Sequence, residues 1–320
     1  MALAYLGNLY DLGLGVDKDY SKARKYYELA AKMNNTIALD RLGNIYEYGL
    51  GVNVDYSIAK HYYELAAQQN NPASFNSLGY FYEKGLGVKV DYSIAKHYYE
   101  LAAQQNNSTA LNNLGKLYEN GLGVRKDYNK AKEYYELAAK QNESEALNNL
   151  GNQYLNGLGV EINYSKAFEY YELAAKQNNA NALYNLGKLY EYGLGVKSSY
   201  LKAVSYYELS AQQNNIECII KMGFIYLSGS YGIEKNYLKS KEYFDLAAKE
   251  NNHEAFFYLG VIYFYGLGVE KDYEKGIKYF QESAQQSDCY SLIQLGKIYL
   301  TGYSVPKDYD KAINYFEKAA

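Results

Sequence analysis

The chain has no tryptophan, two prolines, two cysteines and three histidines among its 320 residues. Two cysteines, Cys218 and Cys289, are too few for a disulfide framework, so a reducing cytoplasmic compartment is expected. Neither sign of charge predominates: 33 basic residues are spread among 36 acidic ones, for a net charge of −3. A face basic enough to neutralise phosphates is therefore missing, and nucleic acid is not an expected partner. Polybasic segments and apolar runs of about 18 residues are absent too, which points away from membrane insertion. The opening residues MALAYLGNLYDLGLGV lack the cationic start of a signal peptide and read as a helix. Sequons such as Asn34-Asn35-Thr36 are accordingly expected to go unused.

What abounds is tyrosine, 43 in all, and periodicity accounts for most of it. The pair Leu-Gly stands at Leu6-Gly7, Leu42-Gly43, Leu78-Gly79, Leu114-Gly115, Leu150-Gly151 and Leu186-Gly187. It continues as Met222-Gly223, Leu259-Gly260 and Leu295-Gly296. The step is 36 residues, with one 37-residue step caused by GSYGI at 229–233. A fixed period of this size marks a stacked array. Nine copies are expected, beginning near residues 2, 38, 74, 110, 146, 182, 218, 255 and 291, as one array over 1–320.

In the copy at 110–145, Ala110, Leu111, Leu114, Leu117 and Tyr118 fall on one face of an amphipathic first helix. Gly121 and Gly123 then stop it, because glycine takes backbone angles other residues resist. The second helix opens on an N-cap slot filled by Asp19, Asp55, Asp91, Asp127, Asn163, Ser199, Asn236, Asp272 and Asp308. It buries Tyr128, Ala131, Tyr134, Tyr135, Ala138 and Ala139 and ends near Asn142, a residue that tolerates a left-handed turn. Four slots hold 33 of the 43 tyrosines, and the last of those slots becomes Phe244, Phe280 and Phe316 in the final three copies. One hairpin cannot bury its apolar face alone, so neighbouring copies must cover it.

The repeated pattern A-L-x-x-L-G-x-x-Y-x-x-G-L-G-V-x-x-D-Y-x-K-A-x-x-Y-Y-E-L-A-A resembles the Sel-one-like repeat family, relatives of tetratricopeptide repeats. The resemblance covers essentially the whole chain. It implies an all-α fold, a right-handed α/α superhelical solenoid with the first helices on its concave side. It further implies an interaction scaffold or adaptor in signalling, protein quality control, cell-wall assembly or bacterial–host contact. One branch of the family binds penicillin-like compounds, but that branch staples each repeat with a cysteine pair that this chain lacks.

Catalysis finds no foothold. The stretch GLGV follows a helix in seven copies, where a dinucleotide site needs a strand before its glycines. His61 and His97 belong to an 18-residue segment written twice, at 54–71 and 90–107, and fall on the solvent side of their helices. Stacking would hold them roughly 10 Å apart, too far to share a zinc ion. Cys218 replaces a small buried alanine, and Glu47, Glu83, Glu119 and Glu191 read as a solvated acidic ladder. No enzyme activity, metal or cofactor is expected.

The informative slots are the third, seventh and tenth of each first helix, with their flanks. In copies two to six they hold Asn76, Tyr80, Asn112, Asn113, Lys116, Asn148, Asn149, Asn152, Tyr184, Asn185, Lys188 and Tyr192. Carboxamides there could grip an extended peptide backbone. In copies seven to nine the same slots turn apolar, as Ile220, Phe224, Leu227, Phe257, Val261, Phe264, Ile293 and Leu300. Such a stripe is normally covered. A protein or peptide ligand on the concave face, anchored by Phe257 and Phe264, is the expected occupant; internal packing after the extra residue at 229–233 is the competing one. Neither end carries a polar capping helix, so the chain is expected to self-associate or to be part of a larger signalling enzyme or enzyme activator.

Overall fold

A computed structural model describes residues 1–320 as eighteen α-helices and no strand. They fall into two compact units, Met1–Asn163 and Tyr164–Ala320. The first holds α1 (Ala2–Leu12), α2 (Tyr20–Ala31), α3 (Thr36–Tyr48), α4 (Tyr56–Ala67), α5 (Pro72–Lys84), α6 (Tyr92–Ala103), α7 (Ser108–Asn120), α8 (Tyr128–Ala139) and α9 (Ser144–Asn156). The second holds α10 (Tyr164–Ala175), α11 (Ala180–Tyr192), α12 (Tyr200–Gln212), α13 (Ile216–Ser228), α14 (Tyr237–Lys249), α15 (His253–Tyr265), α16 (Tyr273–Gln285), α17 (Cys289–Thr301) and α18 (Tyr309–Ala319). Within each unit every helix packs on the next, and an odd helix with the even helix after it forms one hairpin.

The hairpin α7–α8 shows how sequence makes the unit. Leu111, Leu114, Leu117 and Tyr118 of α7 are buried against Ala131, Tyr135 and Ala138 of α8. Gly121 ends α7 with φ 71°, and its N–H donates to the Leu117 carbonyl. Asp127 then caps α8, its side chain accepting from the Asn129 and Lys130 N–H groups, a contribution of about 1 kcal/mol. The Asp127 N–H donates in turn to the Tyr118 carbonyl at 2.9 Å, pinning the loop, and Tyr118 stacks on Tyr134 with centroids 5.6 Å apart. Of the six side chains expected to be buried on the even helix, Tyr128, Tyr134 and Ala139 are only half-buried, because they line the edge of the seam.

From α3 on, odd helices begin two residues earlier than the apolar pattern shows, at Thr36 and Ser108 for example instead of 38 and 110. In α3, α5, α7, α11, α13 and α15 the cap is the second residue of an Asn-Asn pair. Asn106 has φ 58°, turning the chain left-handed out of α6, and Asn107 then accepts from the Ala110 N–H at the start of α7. The first asparagine thus ends one helix and the second opens the next. Polar caps carry no apolar periodicity, which is why the pattern missed them.

Candidate partner-binding site

Each hairpin is closed by a contact that composition hides. The Leu-Gly glycine lies flat against the deepest aromatic ring of the following even helix. A Cβ on Gly115 would come within 2.6 Å of Tyr135 Cδ1, and Gly43, Gly79 and Gly187 meet Tyr63, Tyr99 and Tyr207 in the same way. Those rings are fully buried, yet their hydroxyls still need an acceptor. Glu47 supplies one to Tyr63 at 2.6 Å, Glu83 to Tyr99 at 2.8 Å, Glu119 to Tyr135 and Glu191 to Tyr207. The expected solvated acidic ladder is therefore corrected: these carboxylates are internal acceptors, and Glu47 is buried. Burial first, and the neighbouring carboxylate second, raise the phenol pKa of Tyr63, Tyr99 and Tyr135, which keeps each hydroxyl a donor.

This arrangement explains the apolar tenth slot. Leu227, Phe264 and Leu300 stand in the slot of Glu47, Glu83, Glu119 and Glu191, in the same copies whose tyrosine has become Phe244, Phe280 and Phe316; the first copy has Asp11 there, and the fifth has Leu155 beside a retained Tyr171. When the hydroxyl goes, the acceptor goes with it. A double-mutant cycle tests the pairing. Tyr135→Phe should cost about 2 kcal/mol, because it strands a part-buried carboxylate, whereas adding Glu119→Leu should recover most of that loss. Urea denaturation measures all four states, and strict additivity would show the two residues to be uncoupled.

The expected polar groove is corrected in part. Asn112 and Asn148 are buried, so neither is open to a peptide. In the first unit Asn113 Nδ2 donates to Asn76 Oδ1 at 3.1 Å, and Asn149 Nδ2 to Asn112 Oδ1 at 2.9 Å. These carboxamides tie one odd helix to the next. Lys116 and Asn152 are half-buried on this face, and Tyr80 is exposed. In the second unit Tyr184, Asn185 and Lys188 are half-buried, with the Lys188 ammonium 5.4 Å from the Tyr184 ring, and Tyr192 is exposed.

The apolar stripe divides between core and surface. Phe264 is only 6% exposed, packed on Phe280, Tyr273 and Tyr303, and so cannot serve as the expected anchor. Phe257 and Val261 are half-buried against the same cluster, and Ile220 and Leu227 against the neighbouring one. Ile293 is half-buried. Phe224 and Leu300 remain open, each 44% exposed.

Phe224 borders a cleft of about 710 Å³ where α11, α13 and α15 meet. Its aromatic wall runs from Phe224 to Tyr258, centroids 6.1 Å apart, and Tyr258 stacks on the buried Phe244 at 4.8 Å. Opposite stands Glu191, which accepts from the Tyr207 hydroxyl, from Lys221 Nζ at 2.6 Å and from the Tyr231 hydroxyl. Burial works to raise the pKa of Glu191, but these three donors outweigh it and the net shift is downward, so the carboxylate stays charged. Tyr231 arrives from the one loop that carries an extra residue. It holds φ 60°, a conformation uncommon for a bulky side chain, and reaches back forty positions to Glu191. Sequence reasoning did not foresee Lys221, Tyr231 or Tyr258 as site residues; the 37-residue step was the available signal.

The remaining candidates for chemistry sit apart. His61 and His97 are exposed, and no three His, Cys, Asp or Glu side chains converge as metal ligands would. The Cys218 thiol is fully buried, and burial pushes its pKa up to about 11, which suppresses the nucleophilic thiolate. No helix is long and apolar enough to cross a membrane.

Helical pairs stacked through shared aromatic seams define an α-helical repeat protein. The Sel1 repeat model matches residues 1–35, 36–71, 76–107, 108–143, 144–179, 180–215, 216–252, 253–288 and 289–320. The chain belongs to the Sel1 repeat family, whose members generally mediate protein–protein interaction on a typically non-catalytic scaffold. Among solved structures it is similar to a protective antigen of uropathogenic Escherichia coli displaying an SLR fold. That pair shares 31% identity over 100% of this chain and 68% of the other, with a TM-score of 0.65. It is also similar to a Sel1 repeat protein from Oxalobacter formigenes, at 31% identity over 78% of this chain and 99% of the other, TM-score 0.68. No curated protein matches.

Proposed function

We propose that the chain is a non-catalytic cytoplasmic scaffold, one array over 1–320, which binds a protein or peptide ligand on the face of its odd helices. The observation that carries this reading is the exposed Phe224, set beside Tyr258 in the cleft between α11, α13 and α15. A large aromatic left open in a concave site is the usual form of a binding hot spot. The carboxamides of α5, α7 and α9 are occupied with one another, so the apolar copies are the better docking surface.

Phe224→Asp tests it. The ring is 44% exposed at the edge of the cleft, so the melting temperature should stay within about 2 °C, while partners recovered by affinity capture should fall at least tenfold against the unaltered chain. Analytical ultracentrifugation of both proteins tells a second copy from a different partner. Unchanged capture and unchanged mass would remove this face from consideration.

A further inference from the structure

We infer that the cleft at α11, α13 and α15 receives a cationic side chain, an arginine or lysine projecting from an extended segment of the partner. This rests on the partner-binding reading above and names the chemistry that site selects. Three carboxylates border the cleft, Glu191, Glu217 and Glu254, against the single ammonium of Lys221. Glu191 already holds that ammonium at 2.6 Å, so Glu217 and Glu254 are the charges left to a ligand. Both are exposed, in the first turns of α13 and α15.

The walls between these charges are aromatic. Phe224, Tyr258, Tyr184 and Tyr192 line it, one face of Tyr258 being taken by Phe244 and Tyr184 already carrying Lys188, and a cation over an aromatic face is attracted by its quadrupole. Lys221 of the lining already shows that preference, its ammonium lying 5.7 Å from the centroid of Tyr231 and 4.5 Å from that of the buried Tyr207 beneath. The field in the cleft has the matching sign. Burial and then the Glu217 charge push the Tyr184 phenol up to about 12, and the Glu191 charge is the first cause raising Tyr192. An anionic side chain would be repelled by the Glu217 and Glu254 carboxylates, and a purely aliphatic one would cover them without supplying a counter-charge. A guanidinium or ammonium with an apolar stem satisfies both the rings and the charges.

The test uses the full chain and three fluorescein-labelled pentapeptides with a central arginine, norleucine or glutamate flanked by leucines. Fluorescence anisotropy should rank arginine about tenfold tighter than norleucine, with glutamate weakest, and the arginine advantage should shrink as salt is raised. Glu217→Gln with Glu254→Gln should remove about tenfold of the arginine affinity while the norleucine peptide changes less than twofold. If the double variant fails to melt cooperatively, Glu254→Gln alone serves, with about threefold expected. Equal binding of the arginine and glutamate peptides, no arginine binding at millimolar concentration, or arginine affinity indifferent to these substitutions would overturn the inference. Those results would leave the partner-binding reading standing if Phe224→Asp still releases the partner; loss of neither partner nor peptide on Phe224→Ala, which removes the ring without adding a carboxylate, would end both.

Discussion

Gly115→Leu should destabilise the chain by about 3 kcal/mol or more and visibly lower its melting temperature, although the substitution improves helix propensity. Gly115 lies in the middle of α7 with an ordinary helical backbone, so the cost does not come from conformational freedom. It comes from Tyr135, whose Cδ1 sits 2.6 Å from where a Cβ would be, inside any tolerable contact. The ring cannot retreat, because it is fully buried and its hydroxyl is bound to Glu119. The helices must part instead, and the separation is felt at the next interface, where α8 packs on α9. Gly115→Ala supplies a graded control, with the same clash from a single methyl group and a smaller loss. Circular dichroism melts of both variants measure the effect, and a Gly115→Leu protein as stable as the parent would show that this close approach does not hold the hairpin together.

The same glycine shows what a sequence discloses when it repeats itself. Nine copies let slots be compared within one chain, so the caps Asp19 through Asp308 and the helix-stopping glycines could be read by position alone. Asp19, Asp55, Asp91, Asp127, Ser199, Asn236, Asp272 and Asp308 each accept from a first-turn N–H as that comparison requires. The pairing of tyrosine with glutamate was partly written there, since every copy whose Tyr gives way to Phe also lacks the Glu, although the fifth copy keeps Tyr171 with Leu155 in the glutamate slot. It escaped notice because the two residues stand sixteen positions apart on different helices, and a surface-looking glutamate suggests solvent. Asn112 misled for the opposite reason: a carboxamide on a helix face looks free until the adjoining helix offers Asn149. The cleft could not be read by periodicity at all. Its defining contact, Tyr231 to Glu191, depends on an insertion that breaks the period.

Phe264→Asp should unfold the region around α15–α17, at a cost of about 4 kcal/mol or more, while Phe224→Asp leaves it intact. The two positions look equivalent in sequence, both apolar on an odd helix of the last three copies. Phe264 is 6% exposed and Phe224 44%, and that difference decides the outcome. Phe264 fills the glutamate slot of its copy and touches Phe280, Tyr273 and Tyr303, and its backbone abuts Gly276 of α16 so closely that a Cβ there would come within 2.8 Å. An aspartate would empty this cluster and bury a charge with no cation beside it, adding the cavity and desolvation costs together. At Phe224 the charge would face water across the cleft, so only a bound ligand would register it. Hydrogen exchange read by mass spectrometry separates the cases by location: Phe264→Asp should expose the amides of α15, α16 and α17 together. Native-like protection there would mean the ring is a surface anchor after all.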